Sequence, residues 1–374
     1  MRLPKQLHGH LKPAARDNTE IYSKINKERT KGTAEWVLKD PTIASWLDRK
    51  SDSIVVVTAP AGSGKTFAIA RLVEELLSHY PQEIKDSSRV SVAYYFCKER
   101  VQNLSSPAAM LRTIAYQIAL NDTVYAKHVM DLAENDDLRN ADVASLWTLL
   151  FHRFFQDARG TAYVLVDAID ECEALAVQSL WTAMQQYTVL PSAGDEGKLN
   201  LLFVLGSEGA ATMSATLGSQ ITQVVLDEKK GVADLRIVVR KRTNAAFANR
   251  MVPPALMEDV QATIVEVANC NYLHASLIMD IVAAMSRESS IRQFIADPPL
   301  DLDYAVSHTL KRLTEDLDSN GMQDFEVSLM CEYDKAHLRL QRCDLGGVHS
   351  SSRTAMHDRF KIRWSLGKIW LRHL

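Results

Sequence analysis

Along the 374 residues, short apolar runs alternate with longer stretches in which large side chains recur every three or four positions. "SIVVVTA" (53–59) is β-branched, continuously apolar and closed by turn formers, the pattern of a parallel strand buried on both faces. "TFAIARLVEELLSHY" (66–80) places apolar residues at 69, 72, 73, 76 and 77, which is helical spacing. "VSVAYYFC" (90–97), "AYVLVDAID" (162–170) and "LNLLFVLGS" (199–207) predict three more strands. "PAAMLRTIAYQIALN" (107–121) and "VASLWTLLFHRFFQDA" (143–158) predict amphipathic helices between them. The alternation predicts an α/β fold: a parallel sheet with helices on both faces, joined by right-handed crossovers.

Beyond about residue 215 the strand pattern fades, and 256–286 and 303–318 read as helical. The expected division is a polar lead-in at 1–31, the α/β domain at 32–215, a smaller α-helical region at 216–318, and a basic tail at 319–374, poorly ordered or truncated. "GTAEWVLKDPTIASWLDRK" (32–50) reads as a packed lead-in helix or turn, and no repeat of 20–50 residues is visible.

Composition changes this picture little. Hydrophobic content of 47%, charged content of 24% and a net charge of −3 describe an ordinary globular chain with no obvious polyanionic partner. The charge is uneven, near +7 over Lys335–Leu374 and near −10 elsewhere. Trp364, Trp370 and the arginines around them suit anionic phosphates or lipid head groups, but a poorly packed terminus is the plainer reading, so no nucleic-acid or membrane partner is assigned. Five scattered cysteines, with no C-x-x-C pair, argue against a zinc ribbon or a disulfide framework and for reduced structural thiols. His337, His349, His357 and His373 lack metal-ligand spacing. With no apolar leader and no run of 18 apolar residues, a cytoplasmic protein is expected.

The chemistry sits at two strand ends. "TAPAGSGKT" (58–66) is G-x-x-x-x-G-K-[ST] with Ala59 in place of the first glycine. Such a loop cradles phosphate with backbone N–H groups and a helix N-terminus. Ala61, Gly62, Ser63 and Gly64 form the cradle, Lys65 supplies charge to the β- and γ-phosphates, and the Thr66 hydroxyl can ligate Mg²⁺. Alanine at 59 adds one methyl before the cradle and is tolerable where φ is negative, so binding is expected to survive. "YVLVDAIDEC" (163–172) has the hhhhD-x-x-D-E form of a Walker B element. Asp167 is assigned to the metal, and Glu171 or Asp170 to the attacking water. Read apart, these are a glycine-rich turn and a helix cap followed by acids. Read together, in order and each after a strand, they predict a P-loop NTPase sheet that binds ATP or GTP with Mg²⁺.

With these residues in view, the chain resembles the fungal STAND ATPases of NACHT type, in particular their nephrocystin-like N-terminal group, over about residues 28–315. Arg29, Gly32, Thr33 and Trp36 match that group's lead-in, with Ala34 where a second glycine is usual. "YYFC" (94–97), "LRTIAYQIA" (111–119), "VDAIDEC" (166–172), "VANCNYLHASLIMDIV" (267–282) and "DLDYAVSHTLKRL" (301–313) resemble its later motifs. The resemblance implies a signalling switch in which the triphosphate favours an open, self-associating form and the diphosphate a closed one. It implies protein partners and, in fungi, roles in non-self recognition and programmed cell death.

The family's fourth strand ends in an arginine that senses the γ-phosphate, whereas here "LGSEG" (205–209) puts Glu208 in its place. Ser207 remains as a hydrogen-bonding group for the nucleotide. Arg112, Arg236, Arg240 or a neighbouring protomer are the cations left to replace the arginine. Three functions follow, in order: a slowly hydrolysing switch, a non-hydrolysing nucleotide-binding or nucleotide-free pseudo-NTPase scaffold, and a P-loop kinase for a small molecule. Cys172 has no evident activating partner and reads as core, as does the aromatic cluster at 146–155.

Overall fold

A computed structural model describes residues 2–48, 54–81, 90–99, 101, 103–135, 138–157, 161–185, 200–208, 215, 221–298 and 305. The expected helix at 303–318, apart from Ala305, and the basic tail at 319–374 lie outside the described residues. The chain divides into two compact units, 1–237 and 238–374.

Among its described residues the first unit has five parallel strands: β1 (Ile54–Thr58), β2 (Val90–Phe96), β3 (Thr161–Asp167), β4 (Asn200–Ser207) and β5 (Ile221–Val225). They lie in the order β2-β3-β4-β1-β5, with Val57 opposite Gly206 and Ile54 opposite Ile221. Strand alternation sends side chains to two cores. On one face Val55, Val57, Tyr163, Leu165, Leu202 and Val204 pack with Ile69, Leu72 and Val73 of α5 (Lys65–His79). On the other Ile54, Val56, Val164, Val166, Phe203 and Leu205 pack with Met110, Leu111, Ile114 and Ile118 of α6 (Pro107–Asn121). The parallel sheet with helices on both faces is therefore as expected. The aromatic cluster at 146–155 is core, with Trp147 and Phe151 fully buried and stacked at 5.3 Å. A π-helical turn at Thr148–His152 interrupts that helix.

Three features differ from the expectation. Residues of the polar lead-in form two helices, Arg2–Leu11 and Ala15–Glu28, and Leu7, Leu11 and Asn18 are fully buried. Asn18 has backbone for a partner: its Nδ2 donates to the Tyr94 carbonyl at 2.8 Å and its Oδ1 accepts from Phe96 N–H at 2.9 Å. Gln117 covers the same edge of β2, accepting from Tyr94 N–H at 2.8 Å and donating to its carbonyl at 3.1 Å. Secondly, β5 lies beyond the expected limit of the sheet domain at 215, and α7 (Glu228–Ala246) begins in this unit. The strand pattern fades there because only Val224 of β5 is buried.

Thirdly, the stretch 256–286, helical as expected, is broken into two helices, α8 (Pro254–Ala268) and α9 (Tyr272–Ala284). Asn269 and Cys270 between them take φ of +42° and +64°, and Asn271 caps α9 by accepting from His274 N–H at 3.0 Å. The second unit buries Leu256, Val260 and Ile264 of α8 and Ala275, Ile278 and Val282 of α9, and its described residues form helices, as expected.

Candidate functional site

The carboxyl ends of β1, β3 and β4 bring together most of the residues singled out above, at the edge where open parallel sheets bind ligands. After Thr58 the chain turns through Gly62 (φ +78°) and Gly64 (φ +92°), left-handed positions that favour glycine. Ala59 is buried and is not among the residues with positive φ, so its methyl is accommodated without backbone strain.

Helix α5 starts at Lys65 with no acidic residue in its first turn and no side-chain cap, leaving its positive end to an external anion. Ala61 and Gly62 are exposed, and Ser63 through Thr66 are half-buried. The Lys65 ammonium donates to the carbonyls of Ala59 at 2.7 Å and Pro60 at 3.1 Å, so its charge rests on the loop itself.

Thr66 reaches across β4 to β3, its hydroxyl donating to Asp167 Oδ2 at 2.7 Å. The strand between them explains Gly206. A Cβ there would stand 2.6 Å from Asp167 Oδ1 and 3.4 Å from Ile69, so no side chain fits. Asp167 is 3% exposed and its Oδ1 has no hydrogen-bond partner. Burial raises its carboxyl to about 6, against the opposing pull of Thr66 and Lys65, while Glu171 and Asp170 push it further up. A half-buried hydroxyl and a buried carboxylate oxygen without a partner suit a small hard cation. A single carboxylate suits one that keeps several waters, as Mg²⁺ does.

The two candidate water-activating acids differ. Glu171 is half-buried and its Oε2 accepts from the Glu99 N–H at 3.1 Å, whereas Asp170 is exposed. Both lie on a one-turn 3₁₀ segment, Ile169–Glu171, entered through Ala168 at φ +53°. On β4, Ser207 is buried opposite Thr58, and Glu208 beside it is exposed. Arg112 is half-buried and donates to the Leu138 carbonyl at 2.6 Å. Arg236 and Arg240 are exposed on α7.

Motif reading missed Gly206 and the Glu99 N–H. A glycine late in the otherwise apolar run "LLFVLGS" is a signal of close approach. The backbone donor leaves no trace in side-chain identity.

A turn before β1 joins the helix behind the phosphate loop to other elements. Arg71 on α5 makes a two-pronged pair with Glu35 at 3.0 and 3.2 Å and pairs with Glu75 at 2.8 Å. Arg29 donates to the Thr33 carbonyl at 3.2 Å and pairs with Glu74. Ala34, at φ +64°, donates its N–H to Asp234 Oδ2 of α7 at 2.7 Å. Lys230, also on α7, pairs with Asp40 at 3.0 Å.

A family model described as nephrocystin 3, N-terminal, matches residues 32–204. Comparison with curated proteins gives no match. Among solved structures, the Aeropyrum pernix ORC2 protein in ADPNP–ADP complexes is 15% identical, with 91% of this chain and 87% of that chain covered and a TM-score of 0.41. Its ADP form is 13% identical, with coverage of 70% and 67% and a TM-score of 0.39. Drosophila ORC bound to AT-rich DNA and Cdc6 is 12% identical, with coverage of 91% and 55% and a TM-score of 0.33. Similarities this low carry nothing about function. Among the described residues no helix is long and apolar enough to cross a membrane. The parallel strand order and the loop after β1 are those of a P-loop NTPase fold, and the matched family model covers much of this sheet domain.

Proposed function

We propose that this chain binds ATP or GTP with Mg²⁺ and hydrolyses it slowly, as a nucleotide-dependent switch. The observation that carries the reading is the Thr66–Asp167 contact across Gly206, with one buried carboxylate oxygen left for a cation. Backbone N–H groups of 61–65 take the phosphates, and Lys65 exchanges its two loop carbonyls for phosphate oxygens. Thr66 and the ionised Asp167 would hold Mg²⁺, which when bound would offset phosphate charge. Glu171, steadied by the Glu99 N–H, orients the water and accepts its proton, and exposed Asp170 is the alternative. Ser207 lies at the neighbouring strand end as a further hydrogen-bonding group. Turnover is slow because Glu208 stands where an arginine would meet the γ-phosphate, and Arg112 is engaged with Leu138.

The resemblance to NACHT-type STAND proteins supports signalling by nucleotide-dependent self-association, with fungal non-self recognition or cell death as the setting. Glu208 favours a second reading, a nucleotide-binding scaffold that does not hydrolyse. The two separate in one experiment. Gently purified protein is denatured and its bound nucleotide identified, alongside Lys65→Ala and Glu171→Gln. The switch reading expects nucleotide in the parent, at least about 100-fold weaker binding in Lys65→Ala, and triphosphate retained by Glu171→Gln. Added triphosphate that stays intact on the parent identifies the scaffold. A Lys65→Ala variant that binds as tightly as the parent defeats both.

A further inference from the structure

The exits of β2 and β3 set two thiols face to face. Cys97 directly follows β2 and donates its N–H to the Asp167 carbonyl at 3.0 Å. Cys172 directly follows the turn that carries Asp170 and Glu171. Their Sγ atoms lie 3.1 Å apart, across 75 residues of chain, and both residues are buried. A disulfide measures about 2.05 Å, so closure brings the two sulfurs about 1 Å nearer. The proposed hydrolysis uses neither thiol.

We infer that Cys97 and Cys172 form a dithiol site that small peroxides oxidise to a disulfide. Cys172 is 8% exposed against 4% for Cys97, so it meets the oxidant first. The Cys172 sulfur attacks one peroxide oxygen and the O–O bond breaks. One oxygen stays as the sulfenic acid and the other leaves as water. The Cys97 sulfur then attacks the sulfenic sulfur, the S–O bond breaks, and the hydroxyl departs with the thiol proton as a second water. Two thiols lose two electrons and two protons, and one peroxide becomes two waters. A thiol reductant reverses the link, as befits a transient intracellular disulfide.

The site lies where a link has leverage. Glu99, whose N–H steadies Glu171, is two residues beyond Cys97, and Glu171 immediately precedes Cys172. The disulfide ties these segments together and resets the acid relative to the phosphate loop. That effect on turnover rests on the function proposed above; formation of the link does not.

The test treats the full chain with graded hydrogen peroxide, blocks free thiols under denaturing conditions, and maps the peptides by mass spectrometry. The expected product is a peptide pair joined through Cys97 and Cys172, lost on adding dithiothreitol and absent from Cys97→Ala and Cys172→Ala. Its formation should raise the Tm of the parent, because the link closes a long loop of the unfolded chain. Three results overturn the site: both thiols recovered free while methionines are oxidised, sulfinic acid at Cys172 without a link, or a link to Cys270, Cys331 or Cys343. Peptide mapping of the parent decides the matter even if a variant fails to fold. Hydrolysis, followed in parallel, should fall about tenfold or more in the linked form and recover with dithiothreitol. A chain that turns over no nucleotide defeats the functional reading and leaves the mapping result standing.

Discussion

The phosphate loop and the turn before β1 both reverse the chain through left-handed backbone, and they do so by opposite means. The loop uses Gly62 and Gly64, while the turn uses Gly32 at φ +89° and Ala34 at φ +64°. Within the loop the Lys65 ammonium bonds two carbonyls and the Ser63 N–H donates to the Pro60 carbonyl at 3.3 Å. The turn is tied down by Arg29, Glu35, Asp40, Arg71, Lys230 and Asp234. A surface that wraps an anion keeps Cβ atoms and internal bonds out of the way. A joint that holds elements together collects such bonds, and these tolerate one alanine where glycine is easier.

Each region also buries one carboxylate, and the pair offers ways to break the comparison. The largest effect belongs to Asp167. Its folded carboxyl sits at about 6 against an ordinary 3.8, so between pH 4 and 6 the folded chain holds more protons than the unfolded one. Stability therefore falls as pH rises through that window, by about 3 kcal/mol. Urea midpoints across pH 4–7.5, taken as parent minus Asp167→Asn, should show this slope; a flat difference would place the carboxylate in a wetter setting than the structure does. Mg²⁺ added above pH 6 should recover part of the loss.

Asp234 is next. Asp234→Ala removes the acceptor for the Ala34 N–H and should lower stability by about 2 kcal/mol, whereas Asp234→Asn keeps an acceptor oxygen and should cost less than half of that. Equal losses in the two variants would mean that charge, and not the hydrogen bond, holds the joint. The smallest effect is a gain. Ala34→Gly relieves the left-handed strain and should stabilise the chain by about 1 kcal/mol in thermal unfolding, with nucleotide affinity unchanged. A loss of stability would show that the Ala34 methyl, buried beside Val37, contributes more than the backbone strain costs.

Much of the fold was legible because parallel strands and amphipathic helices write their burial into hydropathy. β1, β2, β4 and the helix Pro107–Asn121 fall within a residue of the predicted bounds. The failures share a cause. The lead-in helices were passed over because Asn18 seeks the backbone of an edge strand, and hydropathy counts only apolar burial. β5 escaped because one of its five residues is buried. The break between α8 and α9 lies in the backbone angles of Asn269 and Cys270, which no periodicity reports. At the site, loop and acids were legible as motifs, and the structure brings Thr66 and Asp167 within hydrogen-bonding distance. Gly206 was not read because its contribution is the absence of a side chain between two others.

The coverage of β2 by Asn18 and Gln117 bears on how the domain can be cut. Unpaired amides along a sheet edge are an invitation to other chains. The matched family segment, 32–204, leaves out Asn18 at one border of the sheet and β5 at the other. A fragment trimmed to that segment would keep the phosphate loop, Asp167 and Gln117, yet would lose the end of β4, bare the Phe96 N–H at one border and β1 at the other, and stick to its own kind. The smallest piece that stays monodisperse is set by those borders and extends from the helix Ala15–Glu28 through β5.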